Sequence, residues 1–314
     1  MNSKILCVVG PTACGKTTLG VLLAKRFHGE VVSADSMQIY RGMTIGTAAP
    51  TPREMDGIPH HMIAVAEPEE SWSAARYVQE ATPVIDGILA RGRLPILVGG
   101  TGLWMDAVVR GHGFAPGQAG GAVRRELEER LEREGIGPLL AQLREVDPES
   151  AERLHPADEK RILRALEVFL ETGKTISLHN REPRDLPPRY GALWIGWQFA
   201  RREDMRQLID RRVDQMAREG LLDEVRALLG RGLSKNAAAL QAIGYKEFLR
   251  VLEGSATEDE ALAEVKLRSR QYAKRQLTWL RRNPAIHWIF WEKDRDFARA
   301  LQISTEILSA WGVS

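Results

Sequence analysis

Short apolar runs alternate with amphipathic stretches through the first hundred residues of the chain. The elements that this pattern predicts are strands at 4–9, 30–34 and 94–98 and helices at 17–27 and 71–92. Ser71 is the predicted cap of the second helix, and Pro83 predicts a kink within it. Strands that alternate with helices indicate an α/β fold whose sheet is parallel, with loops at the carboxyl ends of its strands.

A change of pattern after Gly111 marks a second part of the chain. Only helical periods occur from Val123 to about Gly173, between linkers rich in glycine or proline at 113–121 and 182–189. This arrangement predicts an all-helical subdomain at 113–190 that is inserted into the α/β core.

The sheet pattern returns after the second linker. Strands are predicted at 193–199 and 286–291, and a long helix is predicted at 257–283. We therefore predict that residues 1–112 and 191–314 form one core with a parallel sheet and a helical C-terminal region.

Composition narrows the class of protein without identifying its activity. Of the 314 residues, 44% are apolar and 27% are charged, which is typical of a globular protein, and the net charge is only +2. The two cysteines, Cys7 and Cys14, form no CxxC pair, which argues against a zinc site or a disulfide framework. No apolar run is long enough for a signal peptide or a membrane span, so we expect a cytoplasmic protein without a membrane partner.

The strongest local motif follows the first predicted strand and precedes the first helix. Its sequence, GPTACGKT, matches the phosphate-binding pattern GxxxxGK[ST]. Backbone N–H groups of such a loop point into one concavity, Lys16 supplies a cation, and Thr17 offers a hydroxyl to Mg²⁺. The cradle predicts a ligand with a chain of phosphates but leaves open whether that ligand is a nucleotide. Its members are Gly10, Pro11, Thr12, Ala13, Cys14, Gly15, Lys16 and Thr17.

An acidic residue ends the second predicted strand and not the third. The third strand runs into Gly99-Gly100-Thr101-Gly102, without the acid that an ordinary NTPase places there to order metal and water. Asp35 ends the second strand, where a carboxylate beside phosphates suits a base for an incoming nucleophile. From its position alone, Asp35 could equally be a helix cap or a metal ligand held through water.

Basic residues cluster late in the chain, although the net charge is small. Seven lysines and arginines lie between Glu264 and Glu292 with no acid among them, and Tyr272, Trp279 and Trp288 interleave. Such a segment suits contacts with RNA phosphates and bases, but charge alone favours a solvated helix face whose aromatic residues pack inward. The pair His60-His61 has no third metal ligand nearby, which favours a structural role.

Several motifs together carry a family resemblance. They run in order from about residue 5 to 291, and the set resembles the bacterial tRNA dimethylallyltransferases. The motifs are the cradle, DSMQIYRGM at 35–43, IGTA at 45–48, the histidine pair, VGGTGL at 98–103, DEKRILRALE at 158–167, QAIGYK at 241–246 and AKRQLTWLR at 273–281.

The resemblance implies a fold, a reaction and a set of roles. It implies a P-loop α/β core with a helical insertion, in which the cradle and Mg²⁺ hold the diphosphate of dimethylallyl diphosphate. Arg212 matches an arginine that faces the diphosphate. Asp35 matches the residue that takes a proton from the exocyclic amine of the target adenine, and Thr101 lies at the same centre.

The resemblance also implies contacts with tRNA. The target is the adenosine that follows the anticodon, and we expect a monomeric enzyme that binds the anticodon stem-loop. The matching positions are Asp35, Ser36, Met37, Gln38, Thr101, Glu159, Lys160, Arg161, Ile162, Leu163, Gln241, Ala242, Ile243, Gly244, Tyr245, Lys246, Lys274, Arg275, Gln276, Leu277, Thr278, Trp279, Leu280 and Arg281.

The chain departs from the family pattern without losing a proposed catalytic residue. Cys14 stands where serine is usual, Ala49 where lysine is frequent, Ala64 where aspartate is usual and Trp104 where tyrosine is common. Three alternatives remain open from the residues themselves: a P-loop kinase of small molecules, a prenyltransferase that acts on free adenine nucleotides, and a non-catalytic RNA-binding protein.

Overall fold

A parallel six-stranded sheet lies at the centre of the computed structural model, which describes residues 3–111, 121–181 and 187–313. Within these residues the strand order is β3-β2-β4-β1-β5-β6. The strands are β1 Lys4–Val9, β2 Gly29–Ala34, β3 His60–His61, β4 Leu94–Gly99, β5 Gly191–Phe199 and β6 Ile286–Trp291.

Helices make up most of the remaining described structure, and no described helix is long and apolar enough to span a bilayer. Those before the second linker are α1 Lys16–Arg26, α2 Pro52–Met55, α3 Ala74–Ala90, α4 Gly102–Arg110, α5 Ala122–Glu134, α6 Ile136–Val146, α7 Pro148–Arg153, α8 Glu159–Thr172 and α9 Ile176–Arg181. Those after it are α10 Arg202–Arg218, α11 Leu221–Gly230, α12 Tyr245–Leu252, α13 Glu258–Leu280 and α14 Phe297–Ala310.

The sheet is buried on both faces. Alternate residues of β1 enter different cores: Ile5, Cys7 and Val9 belong to one apolar cluster, while Leu6 and Val8 belong to the other. This burial explains why the predicted strands are nearly continuous apolar runs, since a parallel sheet covered by helices has no polar face.

The register of the central strands brings three loops to one edge of the sheet. Gly99 at the end of β4 pairs with both Val9 and Ala34, which end β1 and β2. The loops that follow these strands are the cradle, the segment that begins at Asp35, and the segment 100–102. They therefore meet at the carboxyl edge, where open α/β sheets bind ligands.

One predicted helix cap needs correction, and one short strand was not predicted. Ser73, not Ser71, caps α3, because its hydroxyl accepts a hydrogen bond of 3.2 Å from the backbone N–H of Arg76. The short edge strand β3 was not predicted. In it, Nε2 of His61 lies 2.7 Å from a carboxylate oxygen of Glu30, and the described residues hold no cluster of metal-ligating side chains.

The chain divides into two compact units. The core unit is Met1–Val109 with Arg189–Ser314, and the insertion unit is Arg110–Pro188, where the sequence pattern indicated 113–190. The insertion unit has an apolar core of its own, built by residues of α5 to α8 such as Leu127, Leu143 and Leu166. Its helices therefore bury their apolar faces against each other.

Candidate active site

The cradle connects β1 to α1 at the carboxyl edge of the sheet. Nζ of Lys16 lies within this loop and donates a 2.7 Å hydrogen bond to the carbonyl of Pro11, and burial lowers the pKa of its ammonium group. Cys14 is fully buried behind the loop, and its carbonyl accepts a 2.8 Å hydrogen bond from Nε1 of Trp291. The thiol that stands in place of the usual serine is buried and lies 4.0 Å from Nζ of Lys16.

Arg212 of α10 adds a second cation beside the cradle. Its guanidinium donates a 3.4 Å hydrogen bond to the hydroxyl of Thr12. Burial lowers the pKa of Arg212, while the nearby carboxylate of Asp35 acts in the opposite direction. The structure therefore brings together the two cations that the sequence assigned to one ligand.

Asp35 lies at the end of β2 and faces the same cleft. Its Oδ1 accepts a 2.9 Å hydrogen bond from the backbone N–H of Met37, which turns the chain away from the strand. One carboxylate oxygen therefore holds the turn that follows the strand.

Thr101 ties the loop after β4 to the loop after β2. Its backbone N–H donates to the carbonyl of Ala34, and its Oγ1 accepts from the N–H of Ser36, both at 3.2 Å. Thr101 therefore contacts the residues on both sides of Asp35 in the sequence.

Two adjoining cavities open around Asp35. The larger, of about 1060 Å³, is lined by the cradle, by residues of the 44–51 loop and by Arg212. The smaller, of about 300 Å³, is lined by Ser36, Met37 and the 241–243 segment, among others. Both are lined by Thr12, Asp35, Thr47, Arg212, Met216 and Tyr272.

One face of α13 lies against these loops. Burial, followed by the charge of Asp35, raises the pKa of Tyr272 to about 12. One turn further, Gln276 is buried, and Trp279 donates a 3.1 Å hydrogen bond from Nε1 to Asp106. Tyr272 was predicted only as an aromatic residue among basic ones, so its place beside Asp35 is new.

The predicted RNA residues of the core unit fall into an exposed and a buried set. Exposed positions suited to RNA contact are Gln241, Lys246, Lys274, Arg275, Thr278, Trp279 and Arg281, while Ser36, Met37, Gln38, Ala242, Ile243 and Leu277 are half-buried. The buried positions are Gly244, Tyr245, Gln276 and Leu280. The side chains of Tyr245 and Leu280 pack inside the unit, whereas that of Gln276 lines the larger cavity, and the RNA contacts of these positions stay predictions.

The insertion unit shows the same division. Glu159, Lys160 and Arg161 are exposed at the start of α8, whereas Ile162 and Leu163 belong to the apolar core of this unit. These last two side chains pack in that core, so a contact of their segment with RNA stays a prediction that rests on its exposed positions.

Glu224 of α11 is a site residue that sequence reasoning missed. Its carboxylate accepts hydrogen bonds of 2.8 to 3.0 Å from the backbone N–H groups of Thr44, Ile45 and Gly46, and one of 2.5 Å from the hydroxyl of Tyr245. This network fixes the loop that forms one wall of the larger cavity. No local signal distinguishes Glu224 from a solvated acid on an exposed helix.

Comparison with known proteins identifies the family of the chain. The family model for IPP transferase matches residues 38–283, and the model for isopentenyl transferase matches residues 3–66. The tRNA dimethylallyltransferase of Halalkalibacterium halodurans is 45% identical over 96% of this chain and 95% of its own length. That of Geobacillus thermodenitrificans is 46% identical over 95% and 94%.

Solved structures agree with these relatives. The tRNA isopentenylpyrophosphate transferase of Bacillus halodurans superposes with a TM-score of 0.73 at 42% identity, over 98% of this chain and 96% of the other. A eukaryotic dimethylallyltransferase, described as acting on tRNA, gives 0.81 at 29% identity, over 98% and 80%. The chain therefore belongs to the IPP transferase family, whose members include these tRNA dimethylallyltransferases.

Proposed function

We propose that this chain transfers a dimethylallyl group from dimethylallyl diphosphate to the exocyclic amine of the adenosine that follows the anticodon in tRNA, and that it releases diphosphate. One observation carries the proposal. Asp35 lies where the cavity of the phosphate cradle adjoins a second cavity lined by segments matched to RNA binding. A base at this junction lies between a phosphate ester and an approaching nucleobase.

The cradle side of the cleft suits a diphosphate leaving group. When the allylic C–O bond breaks, its electron pair leaves with the diphosphate, and charge grows on the oxygens. Lys16, Arg212 and the backbone N–H groups of the loop can stabilise this charge where it develops. These groups already lie around the cavity before the reaction, so they need no reorganisation, and this lowers the activation free energy of the transfer.

The residues also fit the Mg²⁺ ion that we include in the proposal. Mg²⁺ prefers a few protein oxygens together with phosphate oxygens and waters, and Thr17, which has a hydroxyl, lines the larger cavity with Lys16. When bound, the ion would neutralise part of the diphosphate charge.

The second cavity suits the acceptor. The nitrogen lone pair of the amine forms the new C–N bond, and the proton of that nitrogen passes to Asp35. The adenine must leave its stack to reach Asp35, which costs less in a loop than in a duplex. Lys274 and Arg275 are exposed on the same helix as Tyr272, where they can contact RNA phosphates.

We propose a single chain as the active unit. We accordingly propose a cytoplasmic monomer, with tRNA as its macromolecular partner. The main alternative, transfer to a free adenine nucleotide, makes no use of the exposed cations of α13.

Mass spectrometry of an anticodon stem-loop RNA tests the proposal. The RNA is incubated with protein, Mg²⁺ and dimethylallyl diphosphate. We expect a gain of one dimethylallyl group on the adenosine and none on a matched RNA with inosine there, which lacks the exocyclic amine. Modification of excess AMP in preference to the RNA would favour the alternative, and consumption of ATP without prenyl transfer would indicate a kinase.

A further inference from the structure

The side chain of Gln276 is inserted between two loops of the site. It is 5% exposed, its Oε1 accepts a 2.9 Å hydrogen bond from the N–H of Thr12, and its Nε2 donates a 3.2 Å hydrogen bond to the carbonyl of Gly100. These partners fix the orientation of the amide, because a backbone N–H can only donate and a carbonyl can only accept. Gln276 therefore joins the cradle to the loop after β4 by two directed bonds.

The second loop leads directly to the proposed base. Gly100 precedes Thr101, whose Oγ1 holds the N–H of Ser36, the residue after Asp35. A short chain of contacts thus runs from the cradle through Gln276 to the segment that carries Asp35. Its two ends are the binding site of the leaving group and the base that serves the nucleophile.

The contact depends on close approach between α13 and this loop. A Cβ atom at Gly100 would overlap the amide of Gln276, and one at Gly102 would overlap the ring of Trp279. Tyr272, Gln276 and Trp279 follow a spacing of four and three residues, which places them on one helix face. Lys274 and Arg275 lie between them in sequence and are exposed.

We propose that Gln276 is a positioning residue, which sets the cradle at its working distance from Asp35 and connects both to the RNA-binding helix. This inference rests on the proposed function. Gln276 lines the larger cavity, but both of its hydrogen bonds go to the backbone of the two loops, so their removal should misalign the two binding sites more than it weakens either one. A displacement of about 1 Å between reacting groups can lower a rate by about a hundredfold.

Gln276→Met tests the role of the hydrogen bonds, because methionine has a similar size and shape but neither donor nor acceptor. The matched control is Gln271→Ala, at an exposed position of the same helix. We expect kcat to fall by about 10- to 100-fold in the methionine variant. The KM for dimethylallyl diphosphate and the Kd for the stem-loop should stay near the wild-type values, and the control should match the wild type. The melting temperature should fall by a few degrees, because the N–H of Thr12 and the carbonyl of Gly100 lose a buried partner, but the variant should remain folded at the assay temperature.

Gln276→Glu supplies a readout that a purely structural role would not change. Its carboxylate keeps an acceptor for Thr12 but faces the carbonyl of Gly100 without a proton. We expect its kcat relative to wild type to rise as pH falls, because a protonated glutamate regains the donor.

The outcomes separate the inference from the proposed function. Wild-type protein that leaves the RNA unmodified would contradict the function itself. If the wild type transfers the prenyl group, unchanged kcat in Gln276→Met would overturn the inference. A loss of kcat matched by weaker RNA binding, or by a loss of folded protein at the assay temperature, would overturn it as well, as would a pH-independent ratio for Gln276→Glu.

Discussion

The hydroxyl of Tyr245 donates a 2.5 Å hydrogen bond to the carboxylate of Glu224, and this pair holds the loop at 44–46 against the cleft. Tyr245 is fully buried, and burial raises the pKa of its phenol far above the usual value. Tyr245 belongs to a motif matched to RNA binding, but its side chain is buried and stabilises the loop at 44–46 through Glu224.

Tyr245→Phe should lower stability without changing RNA affinity. Loss of one buried hydrogen bond to a charged group should reduce the free energy of unfolding by about 1–3 kcal/mol, measured by urea titration. The exposed neighbour provides the opposite case: Lys246→Ala should weaken RNA binding and leave the free energy of unfolding unchanged. If the Tyr245→Phe variant has normal stability but binds RNA more weakly, the hydroxyl of Tyr245 contacts RNA as the motif predicts.

Asp35→Asn should separate binding from chemistry. The amide oxygen can still accept from the N–H of Met37, so the turn after β2 persists, but the side chain no longer takes a proton. We expect kcat to fall by about a hundredfold or more while the Kd for the stem-loop changes little. Single-turnover transfer and RNA titration measure the two quantities, and a parallel loss of both would make Asp35 a binding residue only.

Lys274→Ala should reduce the salt dependence of RNA binding. Each phosphate contact that a protein makes to a single strand contributes about 0.7 to the slope of log K against log salt. We expect weaker binding at low salt and a slope smaller by about this amount. Arg299→Ala, which removes an exposed cation from α14, serves as the control. Equal slopes for wild type and Lys274→Ala would show that this lysine does not contact phosphate.

Glu30 should make the free energy of unfolding of the core unit depend on pH in the acidic range. Burial alone would raise its pKa, but hydrogen bonds from Arg91 and His61 outweigh burial and lower the pKa below the ordinary 4.5. As pH falls, Glu30 is therefore protonated in the unfolded chain before it is protonated in the folded one. The stability that its carboxylate contributes is complete above about pH 4.5 and is lost as pH falls through the lower folded pKa.

A Glu30→Gln variant measures this effect. At neutral pH its free energy of unfolding should be lower by about 2 kcal/mol, because charged hydrogen bonds are lost. Below pH 4.5 the difference from wild type should shrink. Replacement of the exposed Glu292 by glutamine should change neither quantity, and a constant difference at all pH values would contradict the assignment.

Local signals were sufficient to predict the α/β core, the cradle and Asp35. The strand, the glycine-rich loop and the helix of the phosphate cradle follow one another directly in the sequence, so a short segment contains every part of that site. The same holds for the helical insertion, because its amphipathic periods lie between two linkers. The comparison with relatives confirms the family and the fold class that these signals indicated.

Orientation within the matched segments was harder to predict. A motif marks a run of residues, but a helix turns some of them inward, as it does with Gln276 and Leu280. These positions follow the buried Ala273 at helical spacing, so the period was available as a signal. Glu224 offered none, because its backbone partners lie about 180 residues away in the chain.

The bond between Trp291 and the carbonyl of Cys14 has a consequence for synthesis. The cradle receives supporting contacts from Gln276 and Trp291, which follow their partners in it by 264 and 277 residues. A nascent chain that has emerged only as far as β4 carries the complete cradle sequence but lacks β5, the neighbour of β1, and both of these contacts. The cradle is thus translated early, but its contacts with β5, Gln276 and Trp291 can form only later. By then the insertion unit, which has an apolar core of its own, has already been translated.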